Sequence, residues 1–354
     1  MYSKGAPEEL YLKTLSLEPD NQETPIPFIG NEHVLSSLFY RRNHFPYPQE
    51  PSAGFTIDGL VDSPGFMSIE YIQALPSRTV ETVLECAGNK RSLFEPKAFG
   101  EPWGRGAISQ GKWKGVPLKT LLERAGWEQE TAVEIITAAG DEGERPDKKD
   151  VYAYTRSLPV EKAMDPDTII AYEYNDRPLS FKHGAPLRLI VPGWYAMASM
   201  KWIERITVSK ETFEGPFQMI DYVYYPHKNS RKDAFPVTTM NVNSIIQSPA
   251  DMEIKKEGTQ IIEGIAWSGE AVIEQVEVST DGGQTWASTQ LEPQSDTPYT
   301  WTKWFYEWQE AVAGEYTIMA RACDAKGRQQ PMQAFWNQKG YGYNAVEMIQ
   351  VKLK

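Results

Sequence analysis

Leu84-Glu85-Cys86-Ala87-Gly88-Asn89-Lys90-Arg91 follows an apolar run over residues 80–84 that predicts a short strand, and Gly88-Asn89 predicts a tight turn after it. A cysteine on such a turn faces a pocket rather than a core. Lys90 and Arg91 come next, and nearby positive charge lowers a thiol's pKa. The same octapeptide also suits a small buried hydrophobe, the usual role of an isolated cysteine. Cys86 and Cys323 are the only cysteines, so there is no CxxC, no zinc-type spacing and no disulfide framework.

Outward from this segment the chain alternates short apolar runs with Gly and Pro. Residues 55–61 predict a strand. Leu118–Ala125 predicts a helix with Leu118, Leu121, Leu122 and Ala125 on one face and Gly126 as its C-cap. Residues 133–138 and 187–191 predict buried strands, and the charged run 140–150 predicts a loop. Residues 1–35 are polar and proline-bearing, the pattern of an extended arm. The region expected over 36–235 is therefore a mixed α+β domain. After residue 235 the pattern changes to regular strands at 261–267, Ile273–Ser279, 283–291 and 316–323. Asp281-Gly282 is expected to supply positive-φ residues to a hairpin. Strands without helices predict an immunoglobulin-like β-sandwich over 236–354, with Cys323 in its core.

The 354 residues suffice for two cores. Against 36 basic side chains stand 48 acidic ones, a net charge of −12. That balance excludes non-specific binding to nucleic acid or to an anionic membrane surface. A small oxyanion substrate would need a local cationic pocket. The first 30 residues show no apolar signal core and no twin arginine, and no apolar run reaches the ~18 residues of a membrane span. A cytoplasmic protein is the expectation.

Two further clusters carry chemistry. In Arg41-Arg42-Asn43-His44-Phe45-Pro46-Tyr47-Pro48 the prolines force an extended loop. It presents guanidinium forks of the kind that grip oxyanions. In His183-Gly184-Ala185-Pro186-Leu187-Arg188, continued by Ser199-Met200-Lys201, His183 and Arg188 flank a strand where a phosphate or a pterin ring would be held. Histidines 33, 44, 183 and 227 are too scattered for a metal site, and there is no HExxH, GxGxxG or P-loop. Residue chemistry alone leaves open a cysteine nucleophile paired with His44 or His183.

Taken together the clusters resemble the sulfite oxidase family of molybdenum enzymes, from about residue 36 to the end. Arg42-Asn43-His44 looks like its RNH loop. Cys86 to Arg91 looks like its CAGNRR signature, with Lys90 in place of an arginine. Residues 106–109 and 113–118 look like the stretch that follows. Residues 171–175 and 183–188 look like its AYEMN and HGFPxR segments, and Asp221-Tyr222 stands where the family has its active-site tyrosine.

The resemblance implies a molybdopterin-binding catalytic domain followed by a dimerisation domain, with molybdenum held by a pterin dithiolene and by Cys86 as sole protein ligand. A soft thiolate suits such a centre. By residue match, Tyr40, Arg41, Arg42, Asn43, His44, Asp141, His183, Arg188, Ser199, Met200 and Lys201 would hold the pterin and its phosphate. The implied reaction is oxidation of sulfite to sulfate. Arg42 and Arg91 would bind the substrate, Trp103 would form an aromatic wall, and Tyr222 would hydrogen-bond the substrate and couple to electron removal. Lys339 replaces the arginine of a WN-x-RG segment, keeping its charge but not its bidentate fork. A nitrate reductase shares most of these motifs, but the cation at Lys339 and Phe45-Pro46-Tyr47-Pro48 favour the sulfite form. A non-catalytic pterin-binding or dimerisation protein is the alternative of another class. The expected partners are a second copy of the chain and, with no haem domain recognised, oxygen or an external cytochrome or other carrier as electron acceptor.

Overall fold

Alternating burial along strands organises this chain, because residues two apart share a face of a sheet. The computed structural model describes residues 11–50, 52–145, 148–293 and 297–354. The signature strand, Arg78–Glu85, runs antiparallel to Ile108–Pro117 with Glu85 opposite Ile108. Ile108–Pro117 in turn pairs with Ile169–Tyr174, which pairs with Arg188–Ile190. In a second sheet, Gly54–Gly59 lies parallel to Ile203–Ser209, and Glu134–Arg145 joins Ile203–Ser209 to Lys148–Pro159. The two sheets share one core, in which Ile57, Val83, Ile108, Ile135, Ile170 and Ile206 are buried. The Leu118–Ala125 helix packs Leu118, Leu121, Leu122 and Ala125 into it and ends at Gly126 with φ of 69°, the left-handed cap that glycine adopts without strain.

Within the run 140–150, the described residues 140–145 and 148–150 are not the expected loop but belong to the paired ends of Glu134–Arg145 and Lys148–Pro159. Ile135, Thr137, Ala139 and Asp141 are all buried on one face, so a period-two pattern continues beneath the charges. The arm is more structured than its composition suggests. Lys13–Leu17 pairs with Asp20–Glu23, and Gln22 and Arg41 exchange backbone hydrogen bonds at 2.9 Å. The arm thus pins the arginine-rich loop; residues 1–10 lie outside the described residues.

Beyond residue 236 two antiparallel-rich sheets face each other. One orders Asn243–Ser248, Gly258–Trp267, Thr302–Ala311 and Gln290–Leu291; the other orders Glu253–Lys255, Glu347–Leu353, Gly314–Asp324, Ile273–Ser279 and Ala287–Ser288. Ile246, Ile262, Val276, Ile318, Ile349 and Val351 fill the space between them, the pattern of an immunoglobulin-like sandwich. Cys323 is half-buried rather than central. In the expected hairpin, Gly282 and Gly283 take the positive φ. Asp281 instead accepts backbone N–H bonds from Gln284 and Thr285 at 2.9 and 3.0 Å.

The two domains meet directly behind the signature turn. Lys90 is fully buried, and its Nζ reaches Asn243 Oδ1 at 2.9 Å, the Ser244 carbonyl at 2.7 Å and Glu347 Oε2 at 2.9 Å. Glu347 is an inward residue of the last strand and also pairs with Arg105 at 2.6 Å. Trp267 Nε1 donates to Glu85 Oε2 at 2.9 Å. No helix among the described residues is long and apolar enough to cross a membrane.

Candidate active site

Cys86 immediately follows its strand and lines a cleft of about 650 Å³, counting the solvent space at its opening. Its N–H donates to the Ala107 carbonyl at 2.9 Å, and its carbonyl accepts from Asn89 N at 2.8 Å. Asn89 Oδ1 accepts from Ala107 N at 3.1 Å and Asn89 Nδ2 donates to Glu85 Oε1 at 3.0 Å. The turn is clamped from both sides, which fixes the direction of the thiol. Burial pushes that thiol up, against the pull of Arg42, Arg91 and the Gly88 N–H. This corrects the expectation of a depressed pKa: Lys90 points away into the domain junction, and desolvation outweighs the remaining charges.

Four segments build the walls. Loop residues Tyr40, Arg41, Arg42 and His44 form one; Asp141 comes from the hairpin; His183, Arg188, Ser199, Met200 and Lys201 form another; Tyr222 follows the short turn Phe217–Asp221. All eleven line the cleft with Cys86. Asn43 does not. Its Nδ2 donates to the Asp20 carbonyl at 2.7 Å and its Oδ1 accepts from Lys201, so it ties the loop to the arm. Trp103 lies fully buried in the apolar cluster that also contains Tyr40 and Cys86, and it lines neither this cleft nor the one beside it.

Neither histidine serves the thiol. His44 Nε2 lies 2.7 Å from the Tyr222 hydroxyl, and His183 Nε2 lies 2.9 Å from the Ser36 carbonyl. Burial, then Arg42, holds His44 well below its usual pKa. Burial, then Arg188, brings His183 down to about 3. Both rings are neutral, and no described hydrogen bond links either to Cys86. The nucleophilic triad therefore has no base.

The donor set fits a molybdenum–pterin group. No cluster of three or more His, Cys, Asp or Glu side chains able to hold a metal exists among the described residues. A metal at Cys86 must therefore arrive with most of its ligands already attached. Arg188 is buried above the Trp113 ring and donates only to carbonyl oxygens, of Ser199 and His183, each at 3.2 Å. Burial lowers its pKa to about 10. A buried cation without a counter-charge is costly, and a phosphate in the cleft would supply one. Lys201, lowered by burial, and Asp141, raised by burial, face each other across the same space.

A second cleft shares Arg42 and His44 with the first and opens past Arg91, Arg145, Asp221, Lys339 and Tyr341. Arg91 is threaded between glycines. A Cβ on Gly88 would lie 2.5 Å from its Nη2, and one on Gly340 would lie 2.7 Å from its Cγ. The guanidinium donates to the carbonyls of Lys339 and Glu101 at 2.8 and 2.9 Å and lies 5.1 Å from the Tyr341 ring centre. Tyr341 stacks on Tyr222 at 5.4 Å. Arg156 sits 5.1 Å from the centre of the Tyr222 ring. Burial holds the Tyr222 phenol well above its usual pKa, so it stays protonated.

Lys182, Tyr154, Arg145, Arg156 and Tyr341 also line or flank these clefts and were missed in the sequence. A signal existed for two of them. Tyr152, Tyr154 and Arg156 recur at period two, and an arginine at the inward phase of a strand marks a buried polar site.

Residues 44–217 match the model of the oxidoreductase molybdopterin binding domain, and residues 234–354 match that of the Mo-co oxidoreductase dimerisation domain. The mitochondrial sulfite oxidase of Drosophila melanogaster is 32% identical, over 99% of this chain and 65% of that protein. The chain thus spans slightly under two thirds of that relative. The sulfite oxidase of Arabidopsis thaliana is 32% identical over 96% of this chain and 93% of its own length. Among solved structures, the sulfane dehydrogenase SoxCD from Paracoccus pantotrophus superposes with a TM-score of 0.84 at 26% identity, over 99% of this chain and 91% of that one. With both domains matched in order and the Arabidopsis enzyme aligned along nearly its whole length, this chain belongs to the sulfite oxidase family.

Proposed function

We propose that this protein oxidises sulfite to sulfate with a molybdenum–pterin cofactor held at Cys86. The observation that carries the reading is the position of Cys86: the one thiol lining a cleft whose cations, at Arg42 and Arg188, lack carboxylate partners among the described ion pairs. When bound, the molybdenum group would supply the two-electron acceptor for conversion of sulfite and water to sulfate and two protons. Arg188, His183, Ser199 and Lys201 would hold the pterin and its phosphate, and Met200 would pack against it. Tyr40, Arg41 and Asp141 would border it, while Asn43 would fix the loop that carries them.

On the substrate side, Arg42 and Arg91 would neutralise the oxyanion, and charge-assisted bonds of this kind are about twice as strong as neutral ones. Tyr222, protonated and held by His44, would donate to a substrate oxygen. Trp103 would support the wall from beneath. Lys339 would add a cation delivered by the second domain, the feature that favours sulfite over nitrate. We place the domain division near residue 236 and assign the sandwich to homodimer formation. Electrons would leave to an external acceptor.

Purified protein from a host that makes the cofactor should carry close to one molybdenum per chain and turn over sulfite, with nitrate reduction far slower. Turnover of nitrate but not sulfite would transfer the assignment to the nitrate reductase reading, and absence of molybdenum would favour a non-catalytic pterin-binding protein.

A further inference from the structure

The Asp221 carboxylate lines the second cleft between two cations that come from different domains. One oxygen pairs with Arg145, at the end of Glu134–Arg145, and the other lies 3.3 Å from Lys339 Nζ. Arg145 is buried, whereas Asp221 and Lys339 are 19% and 26% exposed. Two other cations of the same cleft are held differently. Arg91 donates to the carbonyls of Lys339 and Glu101, and Arg42 to the Asn43 carbonyl and Asn21 Oδ1. Glu101 and Glu144 also line this cleft, but no described ion pair joins either to Lys339, Arg42 or Arg91. The cleft therefore holds two kinds of cation, Arg145 and Lys339 paired with a carboxylate and Arg42 and Arg91 held by neutral oxygens.

We propose that Asp221 is a specificity-determining counter-ion, a built-in anion that holds Arg145 and Lys339 in the cleft and opposes each sulfur oxyanion that enters it. This deepens the sulfite reading above and rests on it. The carboxylate repels a doubly charged anion about twice as strongly as a singly charged one at the same distance. Its cost therefore falls most heavily on sulfate, the product, which is always a dianion near neutral pH. Asp221 weakens substrate capture somewhat and speeds product departure more. A strut that merely kept Arg145 and Lys339 in place would act with the opposite sign, because losing it would scatter the cations and weaken anion binding.

The test compares wild type, Asp221→Asn and Asp221→Glu as cofactor-loaded protein. Sulfate binding is measured by calorimetric titration, alongside KM and kcat for sulfite. The expected result is that Asp221→Asn binds sulfate about tenfold more tightly, a change of about 1.4 kcal/mol. Its KM for sulfite should fall by a smaller factor and its kcat should fall as sulfate leaves more slowly. Asp221→Glu should restore wild-type values, and high salt should shrink the differences. Sulfate binding by Asp221→Asn that is unchanged or weaker would overturn the proposal. The titration reads the cleft without turnover. Tighter binding by the variant therefore supports the counter-ion even in a protein that oxidises no sulfite, and such a protein would overturn only the activity proposed above.

Discussion

Arg91 Nε donates to the Lys339 carbonyl at 2.8 Å, across 248 residues of chain. One partner follows the cysteine turn, and the other lies in the C-terminal segment of the second domain. That segment is itself rigid: Asn337 is fully buried, and its side chain accepts from Tyr341 N at 3.0 Å and donates to the Tyr341 carbonyl at 2.9 Å. The position of a proposed substrate cation is thereby set by both domains at once.

A first prediction concerns the glycine beside Arg91. In Gly88→Ala the new methyl meets the guanidinium at 2.5 Å. The arginine tip must move while the backbone can stay. KM for sulfite should rise about tenfold with a smaller change in kcat, since a misplaced binding cation costs about 1.4 kcal/mol for each factor of ten. Steady-state kinetics checks this, and an unchanged KM would show that Arg91 does not bind substrate.

Lys90 should behave differently from its neighbour. Its ammonium is fully buried against Glu347 and two oxygens of residues 243 and 244. Lys90→Met removes the charge and leaves Glu347 with Arg105 alone. Removing one partner of a buried pair costs about 3–5 kcal/mol, so the urea midpoint should drop markedly. KM for sulfite in the folded variant should stay within about twofold, a change of only ~0.4 kcal/mol. Denaturant titration and kinetics on the same sample separate the two effects.

The pH dependence of stability follows from His183. Its pKa is about 3 in the fold and about 6.5 in the unfolded chain. Between these values the unfolded chain binds the extra proton. This residue's contribution is therefore complete above about pH 6.5 and is lost as pH falls toward 3, at up to about 1.4 kcal/mol per unit. His44 shifts in the same direction. The difference between wild type and His183→Gln, measured by urea unfolding of cofactor-free protein from pH 7 to pH 5, isolates His183. It should narrow steadily as pH falls, and a difference that widens would contradict the sign.

Much of this molecule was legible in its sequence, for identifiable reasons. The Leu118–Ala125 helix and the last sandwich strand, Glu347–Leu353, follow their burial periods closely, and the strand before Cys86 is the buried apolar run its sequence suggests. The motif resemblance located most of the cleft-lining residues, Asp141 among them. The misses share a cause: local composition does not report tertiary partners. The charges at 140–150 suggested a loop, but over residues 141–145 solvent-facing and inward residues alternate, and the inward ones include Asp141 and Arg145. Lys90 and Arg91 are adjacent in sequence, yet one enters the domain junction and the other lines the second cleft. The left-handed backbone at Lys90, φ of 63°, sends them apart. The thiol's raised pKa was hidden for the same reason, since burial is a property of the assembled fold.

The central claim is that Cys86 is the protein's ligand to a molybdenum centre that oxidises sulfite. The most direct measurement is sulfite turnover by Cys86→Ser, expressed in a host that makes the cofactor and compared with wild type per folded chain. The account predicts that oxidation is abolished while the far-ultraviolet circular dichroism spectrum and the urea midpoint stay close to wild type. Undiminished sulfite turnover in that variant would contradict it.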